Sequence, residues 1–217
     1  MNNHQAIDKT INFIREKFEG EGSGHDWWHI YRVWSNSLTI GREEKADMYI
    51  VQLGALLHDI ADFKFHKGDF TVGPKAAREY LESLGVNKET IDHVCDIVEN
   101  ISFKGTGEEK PMKTIEGKVV RDADRLDAIG AIGIARCFAY GGHKDRMIYN
   151  PEGKVKTHAS VIDYLKGTDS SIHHVHEKLL LLKNLMLTET GKKMAEDRHL
   201  FMERYLEQFH KEWAGLC

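Results

Sequence analysis

The chain has 217 residues, of which 41% are hydrophobic and 29% charged, and this is enough apolar material for one large domain with its own core. Its formal net charge is −4 with the 13 histidines neutral, so a general electrostatic attraction to DNA or RNA is not expected. The three cysteines are widely spaced and form no CxxC pair, which predicts reduced thiols. Because the N-terminus is polar and no uncharged run is long enough to span a membrane, we expect a soluble, cytoplasmic protein.

Helical periodicity dominates the first half of the chain. Asp26 is a candidate N-cap for the second helix, and the mostly apolar stretch 45–61 is predicted as a central helix. The tryptophans of the second helix, Trp27, Trp28 and Trp34, are expected in the core. The predicted helices of this half lie at 7–18, 26–38, 45–61, 76–84 and 91–98.

The second half also predicts helices rather than strands. An apolar period runs from Val119 to Cys137, and close helix packing is the expected reason for Gly130 and Gly133 inside it. The stretch 140–156 combines glycines with a proline, has no apolar period and is predicted as a long loop. Further helices are predicted near 169–187 and 192–213. With almost no strand-like alternation in the chain, the predicted fold class is all-α.

One dipeptide, His58-Asp59, carries the strongest chemical signal because it lies inside the apolar stretch 53–61. A buried ionised carboxylate beside a histidine requires compensation, and a divalent metal ion provides it since both side chains are good ligands. The alternative is a core histidine neutralised by its neighbouring carboxylate. His29 upstream and Asp124 downstream complete an ordered set of His, His-Asp and Asp, which favours the metal.

This order resembles the HD-domain metal-dependent phosphohydrolases, a family defined by a histidine, a later His-Asp doublet and a last aspartate. The resemblance covers residues 25–135 and is carried by the segments GHDWWHIYRV, ALLHDIAD and DADRLDA. The chain is most similar to a subgroup of small stand-alone bacterial HD proteins, some assigned to nucleoside triphosphate hydrolysis. The resemblance implies a single-domain HD-type helical bundle over 1–217. Its metal-site core would span about 24–140, with C-terminal helices at about 157–213 packing on it.

The implied metal ligands are His29, His58, Asp59 and Asp124. Such a mixed nitrogen and oxygen set suits Mn²⁺, Mg²⁺, Fe²⁺, Co²⁺ or Zn²⁺, and we favour one Mn²⁺ ion. His25 is an alternative to the first histidine, and Asp122 is an alternative to the last aspartate. Family members with two metals carry a further histidine and a His-His pair between the doublet and the last aspartate. Only His66 and His93 occur there, so a single ion is expected.

Three neighbours of the ligands are candidate catalytic residues by helical spacing. Asp62, four residues after the histidine of the doublet, could orient or deprotonate the attacking water, or only support a ligand. Stringent-response members of the family carry an acidic residue at the matching position. Arg32, three residues after the first histidine, could bind a substrate phosphate. Asp127, three residues after the last aspartate, could hold water or the sugar.

The expected function is hydrolysis of a small phosphorylated metabolite, with a nucleotide as the favoured substrate. The resemblance favours cleavage of nucleoside or deoxynucleoside triphosphates to monophosphate and pyrophosphate. A 5′-nucleotidase, a phosphodiesterase or an alarmone hydrolase is the alternative within the same fold. A non-catalytic nucleotide sensor is the alternative outside enzymes. We expect no nucleic-acid or membrane partner, and the oligomeric state is left open.

Overall fold

The structure, a computed structural model, contains helices joined by turns and loops in the residues that it describes, and its β-structure there is limited to one isolated bridge between Met147 and Ser170. The described residues are 2–20, 26–61, 71–101, 111–155 and 169–217. Their α-helices are α1 (Asn3–Lys17), α2 (Trp27–Glu43), α3 (Met48–Leu57), α4 (Val72–Ser83), α5 (Lys88–Asn100), α6 (Ile115–Asp127), α7 (Gly130–His143), α8 (Ser171–Glu177) and α9 (Glu189–Trp213). A 3₁₀ helix at Leu179–Leu185 joins the last two. The predicted all-α class is confirmed.

The described residues divide into two compact units at a point inside α6. We call the described residues up to Ala123 the N-terminal unit and the described residues from Asp124 onward the C-terminal unit. Each unit has its own set of helix contacts. The expectation of a single domain with C-terminal helices packed on the metal-site core stays a prediction.

In the N-terminal unit, α3 is the central element, as its apolar sequence predicts. Every residue from Leu53 to Leu57 is buried, and α3 packs against α1, α2 and α5. The fourth helix packs mainly on α5. The core around α3 includes Ile14, Ile30, Leu56, Leu81 and Val94. A helix that is apolar on nearly all sides is stable only when it is surrounded in this way.

The C-terminal unit is built on contacts of α7 with α8 and α9, and the 3₁₀ helix packs on the same two partners. The predicted continuous apolar period through residue 137 is interrupted, because α6 ends at Asp127 and α7 begins at Gly130. Gly130 has φ +75°, which a residue with a Cβ rarely adopts. A Cβ on Gly133 would lie 2.3 Å from the carbonyl of Ala128, so the close approach is to the chain's own turn and not to a neighbouring helix.

Three further expectations are corrected by the structure. The central helix ends at Leu57 and not at residue 61, and the residues after it form a turn. The predicted helix at 169–187 is divided at Lys178 into α8 and the 3₁₀ helix. Trp28 was expected in the core, yet 57% of it is exposed. None of the helices that the structure describes is both long and apolar enough to cross a membrane.

Candidate metal centre

His29 enters the centre from the first turn of α2. The helix begins after Asp26, whose side-chain Oδ1 accepts a hydrogen bond from the backbone N–H of His29 at 2.8 Å. This is the predicted N-cap, in which an aspartate satisfies a backbone donor that has no partner within the helix. The imidazole of His29 is buried, and its Nε2 faces the side chains that follow α3.

The doublet His58-Asp59 lies where α3 ends. His58 is the C-cap of α3 and keeps helical dihedral angles (φ −57°, ψ −34°), while the chain turns through the residues after it. The N–H of Ile60 donates to the carbonyl of Leu57 at 3.1 Å and closes this turn. His58 is buried at the edge of the core, and Asp59 keeps 15% of its side chain exposed.

The three side chains meet in a nearly equilateral triangle. The Nε2 atoms of His29 and His58 are 3.2 Å apart, and each lies 3.5 Å from Oδ2 of Asp59. Among the residues that the structure describes, this is the one cluster of three or more potential ligands whose ligating atoms all lie within 4.8 Å of one another. The structure therefore brings together three of the four predicted ligands.

The geometry of this triangle and the tautomer of His58 both fit a metal ion. The centre of the triangle lies about 2 Å from each of the three atoms. This distance equals the bond length of transition-metal ions to imidazole nitrogen and carboxylate oxygen. Nδ1 of His58 lies 2.8 Å from the carbonyl oxygen of Ala55, a contact that places the imidazole proton on Nδ1. Nε2 of His58 then presents a lone pair to the centre, as in protein metal sites whose histidines donate their other N–H to a backbone carbonyl.

The predicted fourth ligand, Asp124, belongs to the C-terminal unit, so its assignment depends on the sequence motif. It is half-buried on α6, whereas its alternative, Asp122, is completely buried. Residues two apart on a helix point to nearly opposite sides, so the two carboxylates cannot both face one centre. The predicted ligand set with Asp124 stays a prediction.

The structure supports the helical spacing that was used to predict Arg32 but not the spacing that was used to predict Asp62. Arg32 lies three residues after His29 on the uninterrupted helix α2, so the two residues share one side of the helix. Arg32 is half-buried there. Asp62 lies outside the described residues. Its prediction assumed a helix that continued past His58, and α3 ends one residue before that point.

Asp127, the third candidate catalytic residue, is buried with its carboxylate against an arginine. Nη1 of Arg136 on α7 donates to Oδ2 of Asp127 at 2.7 Å, and Asp127 is 1% exposed. This ion pair gives Asp127 a structural contact between α6 and α7. Its predicted contact with water or sugar stays a prediction.

The remaining histidines of the metal prediction are located as follows. His25 and His66 lie outside the described residues. His93 is half-buried on α5, where its Nε2 lies 2.8 Å from the hydroxyl of Thr114 and 3.6 Å from Glu116. These contacts give His93 a structural environment within the N-terminal unit.

Two supporting groups were missed from the sequence. The carbonyl of Ala55 fixes the imidazole of His58, and its position three residues earlier in a helix is the only sequence signal for it. Arg136 was missed because a partner nine residues from Asp127 and on another helix has no local pattern.

Comparison with known proteins gives a consistent picture. The model of the HD domain family matches residues 27–129. The protein YpgQ of Bacillus subtilis is 41% identical over 215 residues, which cover 98% of this chain and 96% of YpgQ. The crystal structure of an HD-superfamily hydrolase from Bacillus thuringiensis superposes with a TM-score of 0.78 at 42% identity, covering 98% of this chain and 99% of the other. The crystal structure of Bacillus subtilis YpgQ in complex with ADP superposes with a TM-score of 0.75 at 36% identity, covering 97% and 100%.

Proposed function

The chain belongs to the HD superfamily of hydrolases, and on that premise we propose that it cleaves nucleoside or deoxynucleoside triphosphates to monophosphate and pyrophosphate. The general class, a metal-dependent phosphohydrolase, follows from the family and from the triangle of potential ligands. The observation that carries the proposal is the convergence of His29, His58 and Asp59 within hydrogen-bonding distances of one another.

In this proposal His29, His58, Asp59 and Asp124 hold one divalent ion, with Mn²⁺ favoured. The three ligands of the N-terminal unit are supported by their geometry and the fourth by the family motif. When bound, such an ion supplies positive charge against the phosphoryl group and makes water more acidic. The protein's part is to fix the ligands and to keep the centre largely shielded from bulk water, since only Asp59 among the three is partly exposed.

The choice of a nucleotide is supported by the ADP complex of YpgQ, which is 36% identical to this chain. The guanidinium of Arg32, on the face of α2 next to His29, is proposed to bind a substrate phosphate, since its planar group can donate two parallel hydrogen bonds to phosphate oxygens.

The proposed reaction forms a bond from a water oxygen to the α-phosphorus and breaks the bond from that phosphorus to the oxygen that bridges to the β-phosphate. The electron pair leaves with pyrophosphate, and one proton of the water is released. Asp62 is proposed to accept this proton, on the basis of the acidic residue that stringent-response members carry at the matching position. A carboxylate is a suitable general base when it lies within hydrogen-bonding reach of the water.

The test incubates the purified protein with Mn²⁺ and a panel of nucleoside mono- and triphosphates and separates the products by chromatography. Monophosphate with pyrophosphate is expected, and chelation of the metal should stop the reaction. His58→Gln should lower turnover by at least about 100-fold, because it removes a ligand. The matched control is His93→Gln, which changes a half-buried histidine of the same unit outside the triangle and should stay within a few-fold of wild type.

Each other product pattern points to a different function. Orthophosphate from monophosphates would identify a 5′-nucleotidase that uses the same centre. Tight nucleotide binding without any product, with several metals tried, would identify the nucleotide sensor. Full turnover by His58→Gln would contradict the assignment of the triangle to the active site.

A further inference from the structure

The first turn of α2 connects a helix cap directly to a member of the triangle. We infer that Asp26 is a positioning residue for the metal centre, since its carboxylate fixes the backbone from which His29 reaches the ion. The inference rests on the metal site of the proposed function. It goes beyond that function because Asp26 acts through His29 and requires no contact with the ion.

Within the part of the chain that the structure describes, the hydrogen bonds of Asp26 converge on the start of α2. Its Oδ1 accepts from the N–H of His29 at 2.8 Å, and its backbone carbonyl lies 3.1 Å from the same nitrogen and 3.3 Å from that of Ile30. Asp26 itself is extended (φ −81°, ψ 174°), as an N-cap residue should be. The chain therefore changes from extended to helical three residues before the ligand.

This position is mechanically sensitive because His29 is the third residue of α2. The N–H groups in the first turn of a helix have no partner four residues earlier, so this turn opens more easily than the rest of the helix. A metal site tolerates only about 0.2 Å of change in its bond lengths. For the triangle to form, Nε2 of His29 must lie 3.2 Å from Nε2 of His58 and 3.5 Å from Oδ2 of Asp59. Opening of the first turn would move His29 away from both atoms.

The other imidazole of the triangle does not depend on this cap. His58 is held through its own ring, since Nδ1 bonds to the carbonyl of Ala55 at 2.8 Å. Loss of the Asp26 side chain should therefore affect one ligand and leave the rest of the centre assembled. Metal binding would then have to close the first turn of α2, and the affinity would fall by the corresponding factor.

The N-terminal unit contains a matched control. Asn87 caps α5 in the same manner, with its side chain accepting from the N–H of Thr90 at 2.9 Å, and α5 carries no member of the triangle. Alanine at either position removes one side-chain cap of typical strength. The two variants should lose similar stability, and only Asp26→Ala should lose metal affinity.

The experiment titrates the metal-free protein with Mn²⁺ and measures free Mn²⁺ by electron paramagnetic resonance, alongside thermal unfolding without metal. Asp26→Ala should bind Mn²⁺ about five-fold more weakly than wild type, the factor that corresponds to about 1 kcal/mol of lost capping. Asn87→Ala should bind as wild type does. Asp26→Asn and Asp26→Ser keep an acceptor oxygen for the cap and should stay within about two-fold.

The outcomes separate this inference from the proposed function. Equal affinities of wild type and Asp26→Ala would overturn the inference and leave the metal site intact. Equal losses in Asp26→Asn and Asp26→Ala would also overturn it, because the charge and not the cap would then be responsible. Failure of the wild type to bind Mn²⁺ would overturn the metal site and the inference together.

Discussion

Replacement of Arg136 with alanine is expected to destabilise the C-terminal unit by about 2–3 kcal/mol. Its Nη1 lies 2.7 Å from Oδ2 of Asp127, and a second contact of 3.3 Å reaches the backbone carbonyl of the same residue. The Asp127 side chain is 2% exposed and that of Arg136 is 23% exposed. The change therefore removes a cation that contacts a buried carboxylate, which is more harmful than loss of the attraction itself.

The magnitude follows from the surroundings of the pair. Removal of one partner from a fully buried ion pair destabilises by about 3–5 kcal/mol. Here the loss should be smaller, since Arg136 is partly exposed and Arg198 is close to Asp127. Burial lowers the pKa of Arg198, and the nearby charge of Asp127 opposes that shift. A loss of about 2–3 kcal/mol corresponds to a fall in Tm of roughly 5–10 °C for a chain of this size.

Chemical and thermal unfolding monitored by circular dichroism would measure this change. The control is Arg78→Ala, which breaks an Arg–Asp pair of 2.6 Å with Asp92 on the surface of the N-terminal unit and should change stability far less. Adding Asp127→Asn to Arg136→Ala should recover part of the loss, because the buried charge is then gone. Equal effects of Arg136→Ala and Arg78→Ala, or no recovery in the double variant, would refute this account. Turnover of Asp127→Asn well below its unfolding temperature would test the predicted substrate contact.

Two further predictions concern the packing of α7. Gly133→Ala should destabilise by about 3 kcal/mol or more, because its Cβ would lie 2.3 Å from backbone atoms of Ala128. Gly142→Ala, with no atom within 4 Å of the new Cβ, should be neutral or slightly stabilising in the same unfolding assay. Cys217 is exposed and should react with a thiol reagent at pH 8, whereas burial raises the pKa of Cys137 to about 11 and its thiolate should appear only near that pH. Peptide mass spectrometry would locate the label, and prompt labelling of Cys137 at pH 8 would contradict the packing.

The helices and the triangle could be predicted because their signals are local or ordered along the chain. The start of α2 has a capping residue, Asp26, directly before an apolar period, and the structure places the cap there. The doublet predicts a metal site because a buried histidine and carboxylate in an apolar run can be compensated by a shared metal ion. The order of His29 before His58-Asp59 then identified the residues that the structure brings together.

The end of α3 could not be predicted, because nothing in the sequence marks it. Apolar residues continue through Ile60 and Ala61 after the last helical residue, Leu57, and no glycine or proline follows at once. Helix propensity alone would extend the helix through the doublet. The turn is selected by tertiary packing, since Ile60 is buried in the same core as Leu57. Spacing arguments across that point, such as the one for Asp62, lose their geometric basis.

The connection between α2 and α3 also explains why the three side chains meet, which the sequence motif alone does not. Only four residues, 44–47, separate α2 from α3, and the two helices pack against each other. A connection this short makes consecutive helices antiparallel, so the start of α2 and the end of α3 lie at the same end of the pair. His29 is in the first turn of one helix, and His58 caps the last turn of the other. Three predicted ligands thus come from one helical hairpin, which explains why histidines 29 residues apart in sequence can meet within 3.2 Å.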